Sequence, residues 1–158
     1  MLQQDLQNLS ETLRSMEELE LTVAEFYQTC GERWTDHKRF WMDMEFAELK
    51  HADNVGRMGR ILSERPGKFE VGSFVPPTEI RAFIAGVRSN IERLRKEEID
   101  EKKVLFLGVD LEQSFLESKY ADIFRTSDSE FKSLVREINA DTMFHREYLN
   151  RKIIEWAC

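Results

Sequence analysis

Apolar residues recur along most of this chain at intervals of three and four, the spacing that lines one face of an α-helix. The first stripe, Leu9, Leu13, Met16, Leu19, Val23, Phe26, Tyr27 and Cys30, predicts a helix that starts between Asp5 and Ser10 and runs to about Trp34. Gly31 through Asp36 read as a turn, with Thr35 or Asp36 as the cap of the next helix. Phe40, Met44, Ala47, Val55, Met58 and Leu62 mark that second helix, which ends near Glu64 before Pro66-Gly67. So short a connection folds two long helices back on each other as an antiparallel hairpin.

From Pro66 to Thr78 the pattern gives way to Gly, Pro, Phe and Val, an irregular crossing. Thr78 then stands where it can cap a shorter helix from Glu79 to about Lys96, with Ile80, Phe83, Ile84, Val87, Ile91 and Leu94 on its apolar side. Asp100 reads as the N-cap of a third long helix reaching about Arg125, with a kinked continuation through Glu97–Asp100 as the alternative. Leu105, Gly108, Val109, Phe115, Leu116, Lys119 and Ile123 fall near one face of it. Ser127-Asp128-Ser129-Glu130 is a capping box that opens a fourth long helix, continuing to about Trp156. The expected fold is all-α: a four-helix bundle of two antiparallel hairpins, with an extra helix in the crossover.

Composition agrees with that pattern. Residues 1–158 amount to one domain, long enough to bury a core without staples. Only 7 Gly and 3 Pro punctuate the chain, as long helices require. A net charge of -7 argues against a nucleic-acid backbone or an anionic membrane as partner. No apolar run approaches the roughly 20 residues of a membrane span, and the start of the chain lacks the basic and apolar regions of a signal peptide. A cytoplasmic location is the resulting expectation. Cys30, within a helix, and Cys158 form no Cys-x-x-Cys pair, which leaves out a zinc-ribbon or rubredoxin-type site.

The chemistry lies where polar residues interrupt the apolar stripes. Glu20 falls between Met16 and Val23; Glu48 and His51 form a Glu-x-x-His pair on the inward face of the second helix; Glu112 interrupts the third stripe. On the fourth helix Asp141, Thr142 and His145 share a face with Ile138 and Leu149. Burying an ionised carboxylate costs several kcal/mol, roughly, unless it is paired or binds a metal. Each long helix carries its inward polar residue near its midpoint, and antiparallel neighbours share midpoints at one height, so these residues meet. The two hairpins repeat one arrangement, glutamate on the first helix and histidine on the second. Carboxylates and imidazoles without a thiolate suit iron, manganese or zinc. His37, in Asp36-His37-Lys38-Arg39, reads as exposed, and the methionines read as packing.

Glutamates on two helices combined with Glu-x-x-His motifs form the ligand pattern of ferritin-like di-metal bundles. Glu20-Leu-Thr-Val-Ala24-Glu-Phe26-Tyr27, Ala47-Glu48-Leu-Lys-His51-Ala52 and Leu111-Glu112-Gln-Ser114 resemble the corresponding segments of rubrerythrin-type members of the ferritin-like superfamily. The resemblance covers most of residues 10–156. It implies a ferritin-like bundle carrying a carboxylate-bridged pair of irons, where peroxide or oxygen is reduced. The implied ligands are Glu20, Glu48, His51, Glu112 and His145, with Asp141 as a weaker sixth. Glu48 and Glu112 would bridge, and Tyr27 would hydrogen-bond a ligand or serve as a core tyrosine. A homodimer follows from the family, and a separate electron-donor protein follows from the lack of a cysteine-ligated iron module. Catalytic residues beyond the ligands are not identified.

The fourth helix departs from that family. Thr142, not glutamate, stands three residues before His145, and Asp141 is shorter and rotated about 100° around the helix. The additional third-helix glutamate of rubrerythrins proper would fall at Phe115. These departures favour an alternative, a non-catalytic bundle that holds one metal, iron, manganese or zinc, or keeps a degenerate site. A metal-free helical interaction module is the third and weakest reading, because no inward arginine balances the glutamates.

Overall fold

The computed structural model describes residues 3–113 and 119–156, and within these it is all-α apart from one short ribbon. Helix α1 spans Gln3–Arg33 and α2 spans Lys38–Glu64, joined by a 3-10 turn over Thr35–His37. They run antiparallel: Gly31 lies against Trp41 at one end and Gly56 against Glu17 toward the other. No side chain caps α2, so the expected role of Thr35 or Asp36 is corrected. The join is instead tied by backbone bonds, Trp34 N–H to Cys30 O and His37 N–H to Trp34 O. Cys30 is fully buried and burial pushes its thiol well up, in keeping with a packing residue.

The crossover carries helix α3, Pro77–Arg95, which packs on α1. Pro77 occupies its first turn, where a missing N–H costs nothing, and Pro76 rather than Thr78 stands at the cap position. The kinked continuation into the next helix does not form. Glu97 takes a left-handed backbone (φ 58°), and Arg33 Nη1 donates to the carbonyls of Leu94 and Ile99 across the turn. Asp100 accepts from Lys103 N–H and opens α4, Glu101–Glu112.

The third long helix is shorter than its periodicity predicts. Helix α4 closes at Glu112, with Gln113 N–H bonded to Val109 O, and the expected positions Phe115 and Leu116 lie outside the described residues. A one-turn helix α5, Tyr120–Ile123, precedes a strand β2, Phe124–Thr126. That strand pairs antiparallel with β1, Phe69–Val71, from the supposedly irregular crossing. The reason is local: Phe69 and Phe124 both bury against Phe131, and strand pairing satisfies the backbone that carries them. Gly72 extends the ribbon by donating to Ile123 O. A Cβ there would fall 1.9 Å from Asp122 O, so only glycine fits.

The last helix, α6, spans Ser129–Trp156 and packs on α4 and α2. Its cap is Asp128, whose Oδ1 accepts from the N–H groups of Glu130 and Phe131, where the capping-box reading has Ser127. Contacts of Arg65 with Asp128 at one end and Phe40 with Tyr148 toward the other set α2 and α6 antiparallel. No helix among the described residues is long and apolar enough to cross a membrane.

Candidate metal centre

Five buried side chains converge, Glu20, Glu48, His51 and His145 from the middle of α1, α2 and α6 and Glu112 from the last residue of α4. They form two groups whose ligand atoms all lie within 4.8 Å of one another, Glu20 with Glu48 and His51, and Glu48 with Glu112 and His145. Glu48 belongs to both. Its Oε2 faces His51 Nδ1 at 3.3 Å and its Oε1 faces His145 Nδ1 at 3.4 Å, so one carboxylate stands between two imidazoles whose centroids are 5.5 Å apart. Glu20 Oε2 lies 4.0 Å from His51 Nδ1, and Glu112 Oε2 lies 3.6 Å from His145 Nδ1. Glu112 joins only the second group.

The helical spacing accounts for this convergence. Glu48 and His51, three apart, point from one face of α2, and each antiparallel neighbour brings its residue to the same height. Gly108, one turn before Glu112, lets α4 approach closely: a Cβ there would lie 3.1 Å from Leu149 and 3.5 Å from the Tyr27 hydroxyl.

Electrostatics mark the cluster as incomplete in protons and hydrogen bonds alone. Burial pushes the Glu48 carboxyl up, yet contact with the His145 and His51 rings outweighs it and holds the group at about 2. Burial and the neighbouring Glu48 charge lift Glu112 to about 7. Burial lowers His145, but Glu112 and Glu48 together carry it to about 10. Glu48 Oε1 and His145 Nδ1 are nonetheless buried without a hydrogen bond, being poorly aligned with each other. A carboxylate oxygen and an imidazole nitrogen left without a hydrogen bond and facing one small space are what a cation, taking the place of the imidazole proton, would satisfy. The donor set, carboxylate oxygens and imidazole nitrogens, fits a borderline or hard divalent ion.

Tyrosine hydroxyls brace the outer glutamates. Tyr27 donates to Glu112 Oε1 at 2.7 Å, and its own hydroxyl is pushed well above its ordinary value by burial and by the Glu112 charge. Tyr120 donates to Glu20 Oε1 at 3.4 Å. Sequence reasoning singles out Tyr27 and misses Tyr120, which lies off the predicted stripe and reaches Glu20 only because the third helix breaks before it.

Asp141 belongs to neither group. It is partly exposed, within 3.5 Å of His51 Nε2 on the ring edge away from Glu48, and paired with Lys50 at 3.4 Å. Thr142 is buried at the position from which a fourth-helix glutamate would point. His37, expected to be exposed, is half-buried: it pairs with Glu101 at 2.8 Å and stacks on Trp156 with centroids 3.9 Å apart. Comparison of the chain with protein-family models, with curated proteins and with solved structures found no match.

Proposed function

We propose that the chain is a ferritin-like bundle of rubrerythrin type that holds two adjacent metal ions, iron foremost, and reduces peroxide or oxygen with electrons from a separate donor protein. The observation that carries this reading is Glu48, whose two oxygens face two different histidines in two overlapping ligand groups. Glu20, Glu48 and His51 would hold one ion, and Glu48, Glu112 and His145 the other. Bound there, such a pair supplies Lewis acidity and one-electron redox change at each ion.

The chain's own residues orient this chemistry. Asp141 beside His51 Nε2 favours the tautomer with the proton on that nitrogen, leaving Nδ1 as the donor atom toward Glu48. Tyr27 holds Glu112 by its hydroxyl and keeps one carboxylate oxygen occupied. The apolar walls around the cluster, including Val23 and Leu111, keep bulk water from the carboxylates.

A second reading, a non-catalytic protein that holds one ion, is favoured by Thr142 and by the placement of Asp141 behind His51. Loading with ferrous iron under anaerobic conditions, elemental analysis and then peroxide addition separates the two. About two irons per chain and a new ferric absorption band are expected. One ion per chain and an unchanged spectrum would favour the binding protein.

A further inference from the structure

Glu20, Glu48 and Glu112 are buried, so any reactant must cross the helix layer to reach them. A cavity of about 10 Å³, room for one water-sized molecule, touches all three carboxylates and is otherwise walled by Leu19, Val23, Phe83 and Leu111. Outside it, between α3 and α4, lies a groove of about 500 Å³. Phe83 and Leu111 line both spaces, and both are only half-buried, so these two side chains are the partition between groove and cavity. The groove is apolar along Ala82, Gly86, Val87 and Leu107, with Glu79, Asp110 and Asn90 as its polar lining. A Cβ on Gly86 would meet nothing within 4 Å, which leaves the groove open at that point.

We propose that the α3–α4 groove is the entrance to the candidate metal centre, closed by Phe83 and Leu111, and that it admits small uncharged molecules of the size of dioxygen or hydrogen peroxide while rejecting anions. Rotation of two side chains joins the spaces without moving the backbone. Glu79 and Asp110 outside and three glutamates inside repel an anion, and an apolar passage penalises any ion that sheds its water. The choice of substrate class rests on the oxidoreductase reading; the passage itself does not.

The test therefore uses the metal-free chain carrying Cys158→Ser and Val23→Cys, which places a thiol in the inner cavity. Buried Cys30 remains as a slow background. Methyl methanethiosulfonate, which is neutral, and its anionic sulfonatoethyl counterpart each transfer a thioalkyl group to the thiol and release methanesulfinate; mass spectrometry follows the rate. The neutral reagent should react at least about tenfold faster than the anionic one. Phe83→Ala should raise the neutral rate about tenfold. Gly86→Leu, which fills the groove and replaces a helix-weakening glycine, should lower it about tenfold with unchanged helical circular dichroism. Equal neutral rates with and without Gly86→Leu, or an anionic reagent as fast as the neutral one, would overturn the proposal. A chain that binds no metal but shows the expected thiol rates would sink the functional reading and leave the passage standing.

Discussion

The two helical hairpins offer the same ligand types but are built differently. In the first, α1 and α2 run unbroken past the cluster, and His51 has Asp141 behind it. In the second, α4 ends at Glu112 itself, and the chain returns to α6 through α5 and a ribbon shared with the crossover. The second half compensates with a closer brace, Tyr27 at 2.7 Å from Glu112 against Tyr120 at 3.4 Å from Glu20. A ligand at a helix end needs side-chain support that a ligand in mid-helix does not, because fewer neighbouring turns fix its backbone.

The sharpest way to break this comparison is to remove what the halves share. Glu48→Ala should lower metal affinity by more than about 100-fold in both halves, beyond the usual cost of losing an outer partner. It should also destabilise the metal-free chain by about 3 kcal/mol by leaving His51 and His145 without their common carboxylate. Calorimetric metal titration and urea unfolding read the two effects.

A pH series separates the metal-free from the loaded state. His145 is raised from 6.5 to about 10 on folding, so its contribution is complete below about pH 6.5 and is lost as pH rises toward 10. Glu112, raised from 4.5 to about 7, adds a decline between those values because the folded chain keeps a proton that the unfolded chain releases. Glu48, lowered to about 2, works the other way: its contribution is present above 4.5 and lost as pH falls toward 2. The urea midpoint of the metal-free protein should therefore fall on the alkaline side, and His145→Gln should flatten the segment from 6.5 to 10. With zinc bound, stabilisation by the metal should grow with pH, since ligands must be deprotonated.

The break in the second hairpin has its own test. Gly72→Ala drives a Cβ into the Asp122 carbonyl and should cost about 3 kcal/mol, read as a lower urea midpoint. The tyrosine braces come last. Tyr27→Phe should cost about 1–3 kcal/mol by leaving a buried carboxylate oxygen without its donor, and Tyr120→Phe about 0.5 kcal/mol. Equal costs would mean that the two halves are braced alike.

Much of the first hairpin was legible because its stripes are long, strictly periodic and interrupted only by Glu20, Glu48 and His51. Asp100 declared its cap by type, and the Glu64 boundary followed from Pro66. The third helix misled because Ile123 continues the spacing of its stripe while it closes the separate one-turn helix α5, which leads straight into strand β2. Nothing local distinguishes these uses; the decision lies in pairing with Phe69–Val71, far away in sequence. Ser127 and Asp128 are both good caps, and only the position of the first turn selects Asp128. The convergence of Glu20, Glu48, His51 and His145 could be read from midpoint heights. Glu112 joins them from the end of α4 and not from the midpoint that the longer expected helix implied. Tyr120 and the Phe83–Leu111 partition depend on packing that periodicity does not encode.

The most direct measurement is anomalous scattering from crystals loaded with manganese. The account predicts two peaks flanking Glu48, about 3.5–4 Å apart, one beside His51 and one beside His145. A single peak, or peaks only at surface carboxylates, would contradict a two-metal centre.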